Sequence, residues 1–153
     1  MTIEELDTFL RSGASETYAN KDAPKVASLR PESEDYHFEK GNLAYHDTYF
    51  GARDFIGEEV VYESGVPVWG SNYYGRILIA DASKNEVYAV LRLALMNKSD
   101  DCIPVRGPKN FSYEDWEYEC RIEGTLAAFE GEETISRGGK RLYRALLHGG
   151  FIS

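Results

Sequence analysis

The sequence has few cysteines, few histidines and no long apolar run, and each shortage excludes a class of protein. Among 153 residues there are 2 cysteines and 3 histidines, without the spacing of zinc ligands. No apolar stretch approaches the ~20 residues that a membrane-spanning helix needs. The N-terminus is acidic and lacks the basic and apolar segments of a secretory signal. We therefore expect a cytoplasmic protein with no metal, no cofactor and no membrane contact.

Basic residues are also in short supply. The chain has 17 lysines and arginines against 26 acidic residues, which gives a formal net charge of -9. Nucleic acids are bound through basic patches, so we expect no direct nucleic-acid binding, whereas a cationic ligand or basic partner is compatible. Phosphate-binding glycine loops, dinucleotide fingerprints and nucleophile elbows are missing as well. The sequence therefore assigns no catalytic residue.

What the chain does contain is the same stretch twice. The pattern F-x-G-E-E begins at Phe55 and again at Phe129, and further matched residues follow each copy at constant spacing. Upstream, Tyr45 aligns with Tyr118 when one residue is inserted. This repeat predicts a single domain over residues 1–153, with a first copy at about 2–78 and a second at about 83–153.

Hydrophobic periodicity assigns the elements of each copy. Capping boxes at Thr2 and Ser83 precede apolar residues at helical spacing, and the tract 19–35 is typical of a long loop. Apolar residues alternate with polar ones, as in strands, over 43–50, 54–63, 66–77, 113–124, 127–137 and 140–152. We predict an α+β fold: an internally duplicated αβββ unit forming one curved antiparallel sheet of six to seven strands, with two helices packed on it.

Strand alternation places carboxylates on the apolar face. Successive side chains of a strand point to opposite faces. In the segment 127–137, one series of alternate residues is polar, and we expect it to face water: Glu130, Glu132, Thr134 and Ser136. The series of Phe129 and Ile135 is therefore buried, and it includes Glu133. The same phase in the first copy buries Glu59, with Asp47 on the neighbouring strand. A buried carboxylate must be paired, hydrogen-bonded or protonated.

Two interpretations of these carboxylates stay open. The glutamates could bind the Arg-Pro loops at Arg30 and Arg106 and hold the halves together. Alternatively, they line a ligand pocket in the first half or between the halves. The candidate ligand-binding residues are Asp47, Tyr49, Glu59, Trp69, Asn72, Tyr73, Glu133 and Arg106.

Two other classes of function are kept as alternatives. An enzyme would use Asp47 and Glu59 as an acid–base pair. A protein-interaction module, or a homodimer, would use an exposed apolar patch on the first half. The outward residues that would form this patch are Phe50, Ile56, Val60 and Tyr62.

A set of short motifs carries a family resemblance. They are Tyr45-x-Asp47-Thr48-Tyr49-x-Gly51, Phe55-x-Gly57-Glu58-Glu59, Pro67-Val68-Trp69, Asn72-Tyr73-x-Gly75, Arg106-Gly107-Pro108, Phe129-x-Gly131-x-Glu133 and His148-Gly149-Gly150-x-Ile152. Together they resemble a bacterial and archaeal domain of unknown function. The resemblance implies a domain that occurs alone or C-terminal to helix-turn-helix regulators of the XRE type, and hence an effector-sensing role.

One residue of this chain differs from the family pattern, and the arrangement of its inward residues is also similar to that of another class of domain. Ser71 stands where that family usually has a bulky residue, often methionine. The combination of inward glutamate and aromatic residues is similar in logic to effector domains of multidrug-responsive regulators. Those domains bind lipophilic cations through aromatic contacts and a buried carboxylate. The expected ligand is therefore small, and cationic or aromatic.

Overall fold

A computed structural model describes residues 1–13, 16–97 and 99–153 as one sheet with two helices. The elements in chain order are α1 (Ile3–Gly13), β1 (Glu34–Lys40), β2 (Leu43–Gly51), β3 (Asp54–Glu63), β4 (Val66–Ile77), α2 (Lys84–Met96), β5 (Asn110–Tyr113), β6 (Trp116–Thr125), β7 (Ala128–Arg137) and β8 (Lys140–Phe151). The mixed α+β class is therefore confirmed.

The sheet is antiparallel throughout and has the strand order β1-β2-β3-β4-β8-β7-β6-β5. Strands β4 and β8 meet in the middle, so each half of the open sheet is a meander of four strands. We refer to β1–β4 as the first half and to β5–β8 as the second half.

The eight strands correct the predicted count of six to seven. The missed strands are the two edges, β1 and β5; besides its pairing with β2, β1 makes an isolated bridge between Asp35 and Val26. The sequence of β1, Glu-Asp-Tyr-His-Phe-Glu-Lys, is rich in charge and has no β-branched residue, so its strand propensity is low. Its pairing with β2, from Glu34↔Tyr49 to Lys40↔Leu43, defines it instead. β5 has only 4 residues.

The two predicted capping boxes begin the two helices. At α1 the Thr2 amide donates to Glu5 Oε2 at 2.7 Å, and the Glu5 amide donates to Thr2 Oγ1 at 3.2 Å. At α2 the Glu86 amide donates to Ser83 Oγ at 3.4 Å. Each cap satisfies amides that have no partner within the first turn of a helix. Both helix predictions are confirmed.

Both helices pack on the same face of the sheet. α1 buries Leu6, Phe9 and Leu10 against a cluster that includes Tyr45, Val61, Trp69, Phe129 and Leu147. α2 buries Val87, Val90, Leu91, Ala94 and Leu95 against a cluster that includes Ile77, Tyr118, Ile135, Tyr143 and Ala145. These strand residues share one side of the pleat, which we call the inner face. The outer face is left without a helix in the described part of the chain.

The predicted strand phase is confirmed where it matters for function. Asp47, Glu59 and Glu133 all lie on the inner face, with only 4%, 8% and 0% of their surface exposed. On β7 one outer-face residue departs from the expectation, because Thr134 is buried although its series was expected to face water. Its cross-strand neighbours include the long side chain of Arg144, which can cover it.

Candidate functional site

A cavity of about 470 Å³ lies between the inner face and α2. We call it the central cavity. Its volume falls within the roughly 300–1,000 Å³ typical of small-molecule sites. The polar and aromatic residues that line it include Tyr18, Tyr45, Asp47, Tyr49, Glu59, Tyr73, Tyr88, Arg92 and Arg106. Five of the eight predicted site residues are thus brought together: Asp47, Tyr49, Glu59, Tyr73 and Arg106.

Asp47 and Glu59 form the acidic floor of the central cavity. They are direct cross-strand partners on β2 and β3, so their Cβ atoms lie about 5 Å apart on the same face. Tyr73 Oη donates to Asp47 Oδ1 at 2.6 Å, and Ser71 Oγ donates to Glu59 Oε2 at 3.0 Å. These donors are neutral hydroxyls, so neither bond supplies a countercharge to the two carboxyl groups.

This arrangement changes the protonation of Asp47. Burial, and then the charge of Glu59, raise the pKa of Asp47 to about 8, although the hydrogen bond from Tyr73 and the charge of Arg106 lower it. The raised pKa favours retention of a proton by the carboxyl pair at neutral pH. A cation placed beside the pair would favour the charged form and release that proton. The tyrosines respond to the same environment: burial, Glu59 and Asp47 raise the pKa of Tyr45 well above its usual value.

Gly57 makes the contact between Tyr73 and Asp47 sterically feasible. A Cβ atom on Gly57 would lie 2.3 Å from Tyr73 Oη. The phenol therefore reaches across the position of this glycine to Asp47 on the far strand. The glycine of the F-x-G-E-E motif thus has a packing function in the first half.

The Glu133 carboxylate, by contrast, accepts hydrogen bonds from several side chains. Arg106 donates to it from Nε at 3.0 Å and from Nη2 at 2.7 Å. Tyr118 and Tyr143 each donate a hydroxyl at 2.8 Å. These four bonds match the roughly four lone-pair sites of a carboxylate. Glu133 does not line the cavity, and its geometry fits the structural interpretation, an anchor for the Arg-Pro loop.

Arg106 stays charged despite its burial. Burial alone would lower the pKa of Arg106, but the adjacent Glu133 carboxylate raises it well above the usual value. Its guanidinium also lies 5.6 Å from the ring centroid of Tyr73. Arg106 therefore contributes to the cavity wall while its hydrogen bonds go to Glu133.

The other Arg-Pro loop does not repeat this contact. Arg30 Nη2 lies 2.7 Å from Glu58 Oε1 on the outer face, and its guanidinium lies 5.3 Å from the ring centroid of Phe50. Glu58 is adjacent in sequence to Glu59 and points to the opposite side of the sheet. The predicted anchoring of Glu59 by Arg30 is therefore wrong.

Two further predicted residues lie outside the cavity. Trp69 is fully buried, donates from Nε1 to the Leu126 carbonyl oxygen at 2.8 Å and stacks on Phe129. Asn72 is exposed on the outer face, between the inward residues Ser71 and Tyr73. A bend in β4 would have been needed to turn it inward. The register shift between β3 and β4 instead falls at Val61/Tyr62.

Sequence reasoning missed the residues of the opposite wall. The Arg92 guanidinium lies 4.6 Å from the ring centroid of Tyr18, and Arg92 Nε is buried without a hydrogen-bond partner among the described residues. Tyr88 lies on the same helix, α2. The available signal was an arginine between Leu91 and Leu93, within an apolar helical segment. Tyr18 lies in a loop whose position depends on tertiary packing.

The outer face carries the predicted interaction patch only in part. Ile56 is 57% exposed, whereas Phe50, Val60 and Tyr62 are partly buried. Ile56 is nevertheless in register with two other exposed apolar residues across the middle strands, Tyr74 and then Leu146. Association through this row stays a prediction.

The described parts of the chain were also compared with the requirements of metals and membranes. Among residues 1–13, 16–97 and 99–153, no group of three or more His, Cys, Asp or Glu side chains is placed to hold a metal ion. Neither α1 nor α2 has the length and apolar character needed to cross a bilayer.

Comparison with known proteins gives a family. No curated protein and no solved structure shows significant similarity to the chain. The family described as "Domain of unknown function (DUF5680)" matches residues 47–152. This range covers most of the sheet, α2, and both Asp47 and Glu59. Because the match extends over more than half of the sequence, the chain belongs to the DUF5680 family.

Proposed function

We propose that this domain binds a small molecule in the central cavity, and that Asp47 and Glu59 receive a cationic or hydrogen-bond-donating group of the ligand. One observation carries the proposal. Asp47 and Glu59 are cross-strand neighbours that line a cavity of about 470 Å³, and within the described part of the chain the side-chain groups that donate to their carboxyl oxygens are neutral hydroxyls.

A bound cation would offset the electrostatic cost of burying the two carboxyl groups. Two carboxyl groups in direct cross-strand contact repel each other when both are charged, and burial penalises each charge further. A ligand ammonium group would offset both terms. The surrounding tyrosine rings add favourable contacts, because a cation is attracted to an aromatic face. Tyr45, Tyr49 and Tyr73 supply such rings at the floor.

We extend the proposal to an effector-sensing role in the cytoplasm. The resemblance described above implies relatives joined to helix-turn-helix domains. The central cavity is bounded by the sheet on one side and by α2 on the other. A ligand that contacts both walls would favour one position of α2 relative to the sheet, which is a route by which binding could be communicated to a partner domain.

We also propose that the two halves derive from a duplicated unit. Two pairs of local features support this origin. Gly51 and Gly124 both have positive φ, at 97° and 98°, and a Cβ atom on either would lie 2.2 Å from a backbone carbonyl oxygen. Register shifts occur at Val61/Tyr62 in one half and at Ile135/Ser136 in the other. The unit would then comprise a helix and four strands.

The experiment that tests ligand binding uses the carboxyl pair and a matched control. A panel of cationic aromatic amines is screened by the shift in melting temperature. Wild-type protein is compared with Glu59→Gln, and with Glu58→Gln, which changes the neighbouring outer-face glutamate. We expect the hits to stabilise wild type and Glu58→Gln but not Glu59→Gln. Hits that stabilise all three proteins equally, or a panel without hits, would contradict the proposal.

Acid–base catalysis is a second candidate function. It is favoured by a specific observation: Asp47 has a pKa of about 8 and lies directly beside a second carboxyl group. Enzymes often obtain acid–base chemistry near neutral pH from neighbouring titratable groups, one of which has a pKa shifted by its environment. For this candidate, any turnover found with chromogenic glycosides or esters should be lost in both Asp47→Asn and Glu59→Gln. Turnover that survives in Asp47→Asn would exclude the pair as its source.

A further inference from the structure

The central cavity has charges of opposite sign on its two walls. Asp47 and Glu59 lie on the sheet, whereas Arg92 lines the cavity from α2. Lys84, two turns earlier on the same helix, lines the rim. Arg106 also lines the cavity, but its hydrogen bonds go to Glu133. The cationic groups available to a ligand are therefore on the helical wall.

Arg92 is held in a fixed position without a complete set of partners. Its guanidinium is stacked on Tyr18, with 4.6 Å between Cζ and the ring centroid. Arg92 Nε is buried and has no hydrogen-bond partner among the described residues. Buried donors in native proteins are nearly always satisfied. A planar guanidinium next to a cavity is well suited to a carboxylate, which can accept two parallel hydrogen bonds.

An aromatic surface separates Arg92 from the acidic floor. The Tyr18 ring on which Arg92 is stacked makes an edge contact with Tyr49, with centroids 5.9 Å apart. Tyr49 follows Asp47 by two residues on β2 and lies on the same face. A chain of aromatic contacts along the cavity wall thus links Arg92 to Tyr18 and Tyr18 to Tyr49, on the strand that carries Asp47. A ligand that reaches both must carry its charges at two ends of an apolar body.

We propose that the ligand is a zwitterion with separated charges, such as a short peptide or an aromatic ω-amino acid; this inference rests on the proposed binding function. The ammonium group lies at Asp47 and Glu59, the carboxylate lies at Arg92, and the body lies along Tyr18 and Tyr49. An amine without the acid leaves the Arg92 guanidinium at the cavity wall without an anionic partner, and an acid without the amine leaves Asp47 and Glu59 without a ligand cation. α-Amino acids, whose charges are adjacent, do not span the two sites.

Two matched series of probes test this assignment by isothermal titration calorimetry at neutral pH. One series is phenylalanyl-glycine, its C-terminal amide and its N-acetyl form. The other is 4-(aminomethyl)phenylacetate, its methyl ester and 4-methylphenylacetate. Within each series the body is constant and only the terminal charges change. In at least one series we expect the zwitterion to bind about tenfold more tightly than either singly charged form, a ratio typical of one charge-assisted hydrogen bond.

Two substitutions test the binding of the two ends of the ligand separately. They are Arg92→Gln for the carboxylate and Glu59→Gln for the ammonium group. Arg92→Gln should weaken binding of the zwitterion about tenfold and leave the amide or ester unchanged. Glu59→Gln should weaken every form that has an amine. Arg92→Lys, which keeps the charge but loses the planar donor pair, should fall between wild type and Arg92→Gln. Arg76→Gln, at an exposed arginine on β4, is the control and should bind as wild type does.

The outcomes distinguish this inference from the function on which it rests. Equal binding of the zwitterion and its amide or ester overturns the inference but supports an amine-binding cavity. A preference for the zwitterion that persists in Arg92→Gln also overturns it. If cationic aromatic amines bind but neither zwitterion does, the inference is overturned and the amine-binding cavity is supported. If neither these probes nor the amines bind, the proposed function itself is overturned.

Discussion

Glu59 on β3 and Glu133 on β7 occupy the third strand from opposite edges of the same sheet, and both point to its inner face. Their surroundings differ in a way that separates structure from function. Glu133 accepts four hydrogen bonds, two of them from a permanently charged arginine. Glu59 accepts a bond from Ser71 and lies beside a second carboxyl group.

A few neighbouring residues produce this difference. The cross-strand neighbours of Glu133 are Cys120 and Ala145, which bring no charge. The corresponding neighbours of Glu59 are Asp47 and Ser71. Arg106 turns inward in the second half, and the arginine of the other loop remains outside. The comparison teaches that a buried carboxylate alone does not identify a site. The proposed ligand site therefore rests on a carboxyl pair that lines a cavity and accepts no hydrogen bond from a charged donor among the described residues.

The largest expected loss of stability comes from replacing Glu133, whose carboxylate accepts four hydrogen bonds. Glu133→Gln leaves Arg106 buried without its countercharge, and loss of one partner of a buried ion pair typically costs about 3–5 kcal/mol. Urea denaturation should therefore show a large loss in the free energy of unfolding. Glu130→Gln, on the exposed side of the same strand, is the control. A loss below about 1 kcal/mol for Glu133→Gln would place it with ordinary surface changes and contradict its structural role.

The pH dependence of stability should depend on Asp47. The folded protein keeps the Asp47 proton up to about pH 8, whereas an ordinary aspartate loses it near 3.8. Between these values the folded state binds more protons than the unfolded state, so this group makes stability fall as pH rises. The contribution reaches about 1.4 kcal/mol per pH unit at most. Urea denaturation at several pH values should show this decline in wild type.

Asp47→Asn removes the titrating group but keeps a polar side chain. The decline between pH 4 and 8 should become shallower in the variant, and the difference in favour of the variant should grow toward pH 8. The groups that face Asp47, chiefly Glu59 and Tyr73, remain in place. Parallel curves for wild type and variant would mean that Asp47 titrates as an ordinary surface aspartate.

The smallest effect on stability is expected at Glu59. Glu59→Gln retains an acceptor for Ser71 and removes a carboxyl group whose charged form is penalised by burial, so the free energy of unfolding should change by no more than about 1 kcal/mol. The same urea titration used for Glu133→Gln gives the comparison. If the two substitutions proved equally costly, the distinction between a structural and a ligand-facing glutamate would be lost.

Strand alternation was sufficient to find the buried carboxyl groups. The alternation of apolar and polar residues on β3 and β7 places Glu59 and Glu133 in phase with apolar residues, and neither position needs tertiary information. The edge strands were not predictable in this way. β1 is charged along much of its length, and its pairing with β2 defines it better than its own propensity does.

The residues of the site itself were harder to predict. Trp69 has the correct phase, but it lies under α1, where it is completely packed. Arg92 and Tyr18 come from a helix and a loop, and their place opposite the carboxyl pair is set by how α2 packs on the sheet. The difference between Arg30 and Arg106 depends on the course of two loops, which the shared Arg-Pro pattern does not reveal.

The most direct test of the account is a pH titration of the Asp47 carboxyl carbon by ¹³C NMR, with Asp47→Asn used to assign the signal. Asp47 in the folded wild-type protein should titrate with a midpoint near pH 8, and Glu59→Gln should move that midpoint downward because the neighbouring charge is gone. A midpoint near 4 in the wild-type protein would show that Asp47 is charged at neutral pH. It would contradict the claim that the first half keeps a carboxyl pair without a countercharge.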